Sequence, residues 1–243
     1  MKQKEILLNT LPKLNGNGNG HCHANGHHHE EMGDAHLSTS ANTPLREDAF
    51  LLDDDLKIEL IEKHFREIMH ILGLDLADDS LQGTPRRVAK MFVKEIFSGL
   101  DPKNKPSITL FDNHYQYQQM LIEKNITFHS NCEHHFVPIF GKAHVAYISS
   151  GKVIGLSKIN RLVQYYAKRP QVQERLTNQI GQGLMEALQT QDVAVWMEAK
   201  HMCVCMRGVE DVNSSTITSF YGGRFEEEKL RAEFLQAIAM VSA

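Results

Sequence analysis

Two short segments hold the residue types from which a metal site is made. The first is Cys132-Glu133-His134-His135 and the second is His201-Met202-Cys203-Val204-Cys205. Cys132 and His135 are three apart, so a tight turn or a helical start brings both to one ion. Cys203 completes a Cys2His set. Three protein ligands leave the fourth tetrahedral position to water, the arrangement of a catalytic zinc. A structural zinc would take a fourth ligand, and Cys205 or His134 is available for it. Two cysteines two apart on one strand seldom converge on one ion, which favours the open site over the closed one, with plain buried thiols as the remaining alternative. Zinc lowers the pKa of its bound water to about 7. Unligated His134 and His201 could move protons beside it. This is hydrolytic chemistry at an electrophilic carbon.

A second constellation suits phosphate and a purine. Ser157-Lys158-Ile159-Asn160-Arg161 opens an expected helix, where Lys158 and Arg161 share a face and free N–H groups favour an anion. Arg207 follows the Cys203 segment, and Arg86, Arg87 and Lys90 open another helix. Each alone reads first as a solvated helix end; together they could hold a polyphosphate. Glu174, after Pro170 and Gln173, could accept two parallel hydrogen bonds from the N1–H and 2-amino group of a guanine, although first-turn glutamates also serve the helix dipole.

These residues depend on the elements that carry them. Asp53, Asp54 and Asp55 precede a helix over about 55–72, with Ile61, Phe65, Ile68, Met69 and Leu72 on its apolar face. Thr84 as N-cap and Pro85 open a second helix striped by Val88, Phe92, Val93 and Ile96 and followed by Gly99. Ile122, Ile126 and Phe128 alternate as a strand, as do Ala143, Val145 and Tyr147. Helices are expected over about 157–167 and 170–190, broken at Arg169-Pro170, the second on Val172, Leu176, Ile180, Leu184 and Leu188. Strands follow over about 193–206 and 215–220, and a last helix over 226–240. In the strand over 193–206, His201, Cys203 and Cys205 share one face, while Met202, Val204 and Met206 turn to the core. The order segregates element types, so the fold class is α+β rather than doubly wound.

Composition narrows the class. The 243 residues are 42% apolar and 23% charged, with a net charge of −4, so neither a membrane span nor a broad basic nucleic-acid surface is expected. Four cysteines make no disulfide scaffold, and with no secretory signal read at the start the expectation is a cytoplasmic protein with reduced thiols. No Phe, Trp or Tyr precedes Phe50, and residues 15–45 are rich in Gly, Asn, His and Ser. Residues 1–48 therefore read as a disordered tail, whose His21, Cys22, His23, His27, His28, His29 and His36 could hold zinc, nickel or copper loosely.

Several of these segments together resemble type I GTP cyclohydrolase. They are Cys132-Glu133-His134-His135-Phe136, Val153-Ile154-Gly155-Leu156-Ser157-Lys158-Ile159-Asn160-Arg161, Arg169-Pro170-Gln171-Val172-Gln173-Glu174-Arg175-Leu176, and His201-Met202-Cys203 with Arg207-Gly208. Thr84-Pro85-Arg86-Arg87-Val88-Ala89-Lys90 belongs with them, and the likeness spans about 55–240. The resemblance implies an α+β tunnelling-type fold: an antiparallel sheet with helices on one side, an N-terminal helical extension over 49–105, a core over 106–243, and a ring-forming homodecamer. It implies conversion of GTP and water to 7,8-dihydroneopterin triphosphate and formate, the first step towards tetrahydrofolate and other pterins, with one Zn2+ per subunit, no organic cofactor, no nucleic acid and no membrane. Carried over by position, the metal ligands are Cys132, His135 and Cys203, and the catalytic residues are His134, His201 and Ser157. Glu174 holds the guanine with Gln173 nearby; Lys158, Arg161 and Arg207 surround the ribose and triphosphate; Arg87 and Lys90 add phosphate contacts from a neighbouring subunit. In this scheme water attacks C8 of the purine, His201 protonates N7, and His134 and Ser157 carry protons during the rearrangement.

Two features depart from the family pattern: Cys205, read as structural or else as a source of oxidation sensitivity, and the His-rich tail, either a solvated segment with no function or a store of spare metal. Two rivals remain. One is a metal-buffering protein with a structural zinc, which would have no use for Glu174, Lys158 and Arg161. The other is a different tunnelling-fold enzyme with a cysteine nucleophile or a three-histidine zinc, against which the Cys132, His135 and Cys203 set argues.

Overall fold

The structure is a computed structural model that describes residues 39–240. The tail histidines and Cys22 lie outside the described residues. Described chain nevertheless begins before the boundary read at residue 48: the Ser40 carbonyl accepts a hydrogen bond from Arg175 Nε at 2.7 Å.

Two helices come first. α1 (Asp54–Ile71) is capped by Asp53, whose carboxylate accepts from the Leu56 N–H at 2.8 Å. α2 (Thr84–Met91) starts one residue earlier than its sequence signal. Gly83 occupies the N-cap with no side-chain bond, so Thr84 is already helical and Pro85 sits in the first turn. A wider π-type turn over Phe92–Ile96 continues α2. Ile61, Phe65 and Ile68 of α1 face Phe92, Val93 and Phe97 across an apolar cavity of about 470 Å³. Leu72, expected on that face, is exposed.

The strands and remaining helices are β1 (Leu110–Asp112), β2 (Leu121–Cys132), β3 (Pro138–Tyr147), β4 (Lys152–Ile154), α3 (Leu156–Ala167), β5 (Pro170–Gln171), α4 (Gln173–Leu188), β6 (Val193–His201), the single turn α5 (Met202–Cys205), β7 (Thr216–Tyr221) and α6 (Glu228–Ala239). β1 pairs with β4 apart from the main sheet, whose order is β5-β2-β3-β6-β7. That sheet is mixed, not purely antiparallel, because β5 runs parallel to the end of β2. Pro170 therefore opens no helix; α4 begins at Gln173.

Alternation buries one face of the sheet under α3 and α4. Phe128, Val145, Val195 and Met197 meet Ile159, Leu162, Leu176 and Ile180 there. The expected one-sided packing holds for α3 and α4 only. Phe234 of α6, with Phe225, packs on Ala146 and Ala194, which alternation turns to the opposite face. A second correction concerns Ile122. The register breaks between Glu123 and Ile126, and Asn125 takes a left-handed φ of 62°. This bulge shifts Ile122 to the α6 side, although its spacing puts it with Ile126.

The helical part is fastened to the sheet at Gly99. Its N–H donates to the Lys168 carbonyl at 2.9 Å, and its own carbonyl accepts from Arg169 Nε at 2.8 Å. A Cβ here would fall inside the Tyr165 carbonyl oxygen. Gly99→Ala should therefore cost about 1–3 kcal/mol through forced backbone displacement. Calorimetry should show a melting midpoint lower by several degrees; an unchanged midpoint would refute the close approach.

Candidate metal centre and active site

Three strand ends meet at one edge of the sheet. Ser130 of β2 is opposite Ile139 of β3, which is opposite His201 of β6. Beyond this level the chain turns. Residues 133–137 form a loop closed by hydrogen bonds from Cys132 N–H to the Val137 carbonyl and from Phe136 N–H to the Cys132 carbonyl, both at 2.8 Å, with Phe136 at a φ of 56°. β6 stops at His201, and Met202–Cys205 make one helical turn. The sequence reading carried this strand to 206. The ladder with β3 ends at Ile139 and His201, because Pro138, the next residue and the first of β3, has no N–H to donate, and the backbone turns to satisfy its own hydrogen bonds. The expected two-faced pattern is lost with it: Val204 and Met206 are exposed rather than in the core.

The turn carries Cys203 back over the sheet edge. The ligand atoms of Cys132, His135 and Cys203 all lie within 4.8 Å of one another, and this is the one such His/Cys/Asp/Glu group among the described residues. Cys132 is buried, Cys203 half-buried and His135 exposed. The donor set fits zinc: two soft sulfurs and one imidazole, with an open side facing solvent. Burial, and then the neighbouring Cys132 sulfur, push the Cys203 thiol up to about 11. That cost is what a divalent cation would relieve.

Both expected proton carriers flank the cluster. His134 Nδ1 is 3.8 Å from Cys132 Sγ. His201 Nε2 is 2.7 Å from Gln173 Oε1. The Gln173 amide nitrogen faces the Thr216 carbonyl at 2.9 Å and the Met197 carbonyl at 3.4 Å, so its oxygen must face the histidine. His201 therefore carries its proton on Nε2, leaving Nδ1 to exchange one. Burial holds its imidazole below the usual histidine range, opposed by the charge of Glu174. It is neutral near pH 7.

The substrate residues divide into three groups. Glu174 is exposed and lines a cavity of about 440 Å³ with Val172, Asn178 and Gln182. Arg207 Nη1 lies 3.0 Å from His135 Nε2, at the mouth of the cluster. Gln173, expected beside the guanine, is 1% exposed with its amide spent inside the protein, so its contact is with His201. Ser157, Lys158 and Arg161 are not at the cluster. Gln164 of α3 bonds to the Thr127 carbonyl, and Arg169 lies beside Ser130, so α3 runs along β2 with its start at the far end. Ser157 is roughly 25 Å from Cys132, from the helical and strand rises between them. Arg87 and Lys90 lie on α2, which packs against α1.

Sequence reasoning gave no role to Glu133 or Arg175. Arg175, with its side chain 3% exposed, makes a two-pronged ion pair with Glu133 at 2.5 and 3.1 Å. No local sequence signal pairs them, since 42 positions separate the two residues.

A family model described as GTP cyclohydrolase I matches residues 61–239. The chain belongs to the GTP cyclohydrolase I family. A GTP cyclohydrolase 1 of Flavobacterium johnsoniae is 60% identical over 211 residues, covering 87% of this chain and 95% of the relative. Those of Yersinia pseudotuberculosis and Escherichia coli are 51% and 52% identical, covering 86% and 84% of this chain and 94% and 93% of the relatives. Among solved structures, an archaeosine synthase QueF-like protein in the apo form aligns over 44% of this chain and 97% of its own at 16% identity. Its TM-score of 0.38 carries no argument. No helix among the described residues is long and apolar enough to cross a membrane.

Because the Cys203 thiol is protonated through the neutral range, metal binding must displace its proton. Apparent zinc affinity should fall about tenfold per pH unit lowered for each proton displaced. Chelator competition between pH 6 and 8 measures this; a flat profile would contradict it.

Proposed function

We infer that this chain is a zinc-dependent enzyme that converts GTP and water to 7,8-dihydroneopterin triphosphate and formate, the first step towards tetrahydrofolate and other pterins. The observation that carries the reading is the convergence of Cys132, His135 and Cys203 beside an oriented, neutral His201 in a chain of this family. Cys132, His135 and Cys203 would hold one Zn2+, which when bound supplies a Lewis acid that activates water near neutral pH.

The protein's own groups do the rest. Glu174 accepts the N1–H and 2-amino hydrogens of the guanine, a donor pair that adenine lacks. His201, with Nε2–H committed to Gln173, takes up a solvent proton at Nδ1 and passes it to purine N7 as the imidazole ring opens. His134 and Ser157 carry protons in the rearrangement that closes the pterin ring. Lys158, Arg161 and Arg207 hold the triphosphate, with Arg87 and Lys90 from a neighbour.

The distance of Ser157, Lys158 and Arg161 from the cluster supports a site built between copies. One chain supplies the metal half and the next supplies the phosphate half, within a ring-forming homodecamer of the tunnelling-type fold. Residues 49–243 form the catalytic domain in this reading, with the helical part over 49–105.

Zinc-loaded protein incubated with GTP and then oxidised should yield a fluorescent pterin together with formate, and Cys132→Ala should yield neither. Absence of both from a zinc-verified wild type would end the reading. The shared site has its own test. Cys132→Ala and Lys158→Ala should each be inactive, yet co-expressed in equal amounts they should regain about a quarter of wild-type turnover, the fraction of sites drawing both intact halves. No recovery would place both halves in one chain.

A further inference from the structure

We propose that Arg175 is a positioning residue for this reaction, setting through Glu133 the loop that carries Cys132, His134 and His135. The inference rests on the reading above. Arg175 stands in the first turn of α4, directly after Gln173 and Glu174. Its guanidinium is committed on every side: Nε to the Ser40 carbonyl at 2.7 Å, Nη1 and Nη2 to the two Glu133 oxygens at 2.5 and 3.1 Å. Glu133 is also held by its backbone, its N–H donating to the Gln171 carbonyl at 3.0 Å. Segment 171–175 thus grips Glu133 at main chain and side chain together.

Glu133 lies between a metal ligand and a catalytic histidine, with Oε1 3.8 Å from His134 Nε2. A carboxylate gripped by two parallel N–H donors has a fixed plane, which an ammonium cannot impose. The consequence is a common reference for both histidines. Gln173 orients His201, Arg175 orients the His134 loop, and Glu174, which holds the base in that reading, stands between them in the chain. One helical turn sets the spacing between base, proton carriers and metal. Arg175 touches none of the reacting atoms itself.

The test uses full-length, zinc-loaded Arg175→Lys, Glu133→Gln and the double variant. Glu133→Gln keeps volume and one acceptor, so it covers the case in which Arg175→Lys fails to fold. Zinc content should stay at the wild-type ratio and KM for GTP within threefold, while kcat falls at least tenfold in each single variant. The double variant should be no worse than the poorer single one, since one unit can be broken only once. With Co2+ in place of Zn2+, the visible ligand-field bands of the single variants should shift from wild type, reporting moved ligands independently of turnover. Unchanged kcat per zinc with only a lower melting midpoint would make the pair structural and overturn the proposal. Losses that multiply in the double variant, or bands identical to wild type, would overturn it too. A wild type without pterin or formate would instead overturn the functional reading, while the cobalt bands would still report whether Arg175 sets the ligand loop.

Discussion

Holding the Cys132 and Cys203 sulfurs and a His135 nitrogen within 4.8 Å of one another is the requirement from which the arrangement of this molecule follows. Two sulfur ligands from distant parts of the chain, one buried and one half-buried, do not approach without a scaffold that forces them together. Strand register supplies it. β2, β3 and β6 reach one level, Ser130 beside Ile139 beside His201, and only then does each connection turn. A one-residue slip in either ladder would turn Cys132 or His201 to the wrong face. The α3 and α4 core, which locks Phe128, Val145 and Met197 on one side, is thus also what fixes the metal geometry.

The group of Cys132, His135 and Cys203 was legible in the sequence because thiols and imidazoles at such spacing have few structural uses. Their placement was less so. His201, Cys203 and Cys205 fit strand alternation well, and nothing local shows that the ladder with β3 ends at His201. Ile122 misled for a similar reason, since a bulge at Asn125 breaks the period that its spacing obeys. Lys158 and Arg161 were correctly placed on a helix, but a motif does not tell which end of a sheet that helix starts from. Gln173 reads from sequence only as a neighbour of Glu174, and its hydrogen bonds to β7 and His201 become visible only in the fold.

The ion pair of Arg175 and Glu133 illustrates why buried charge is kept. Replacing such a pair by apolar residues is often neutral for stability, while losing one partner costs about 3–5 kcal/mol. Stability alone is therefore a weak reason for its presence. Geometry is a stronger one, because two donors and two acceptors admit one relative orientation and a hydrophobic contact admits several.

Phe136 follows the ligand His135 in a left-handed conformation that an aromatic residue seldom adopts, and its ring rests on Phe97 at 5.1 Å and Phe92 at 6.5 Å. The metal loop is thereby anchored in the hydrophobic cluster of the helical part. Swinging the loop away alone would break both ring contacts of the half-exposed Phe136. The hold on any ion bound by Cys132, His135 and Cys203 would therefore draw on an aromatic contact that never touches it.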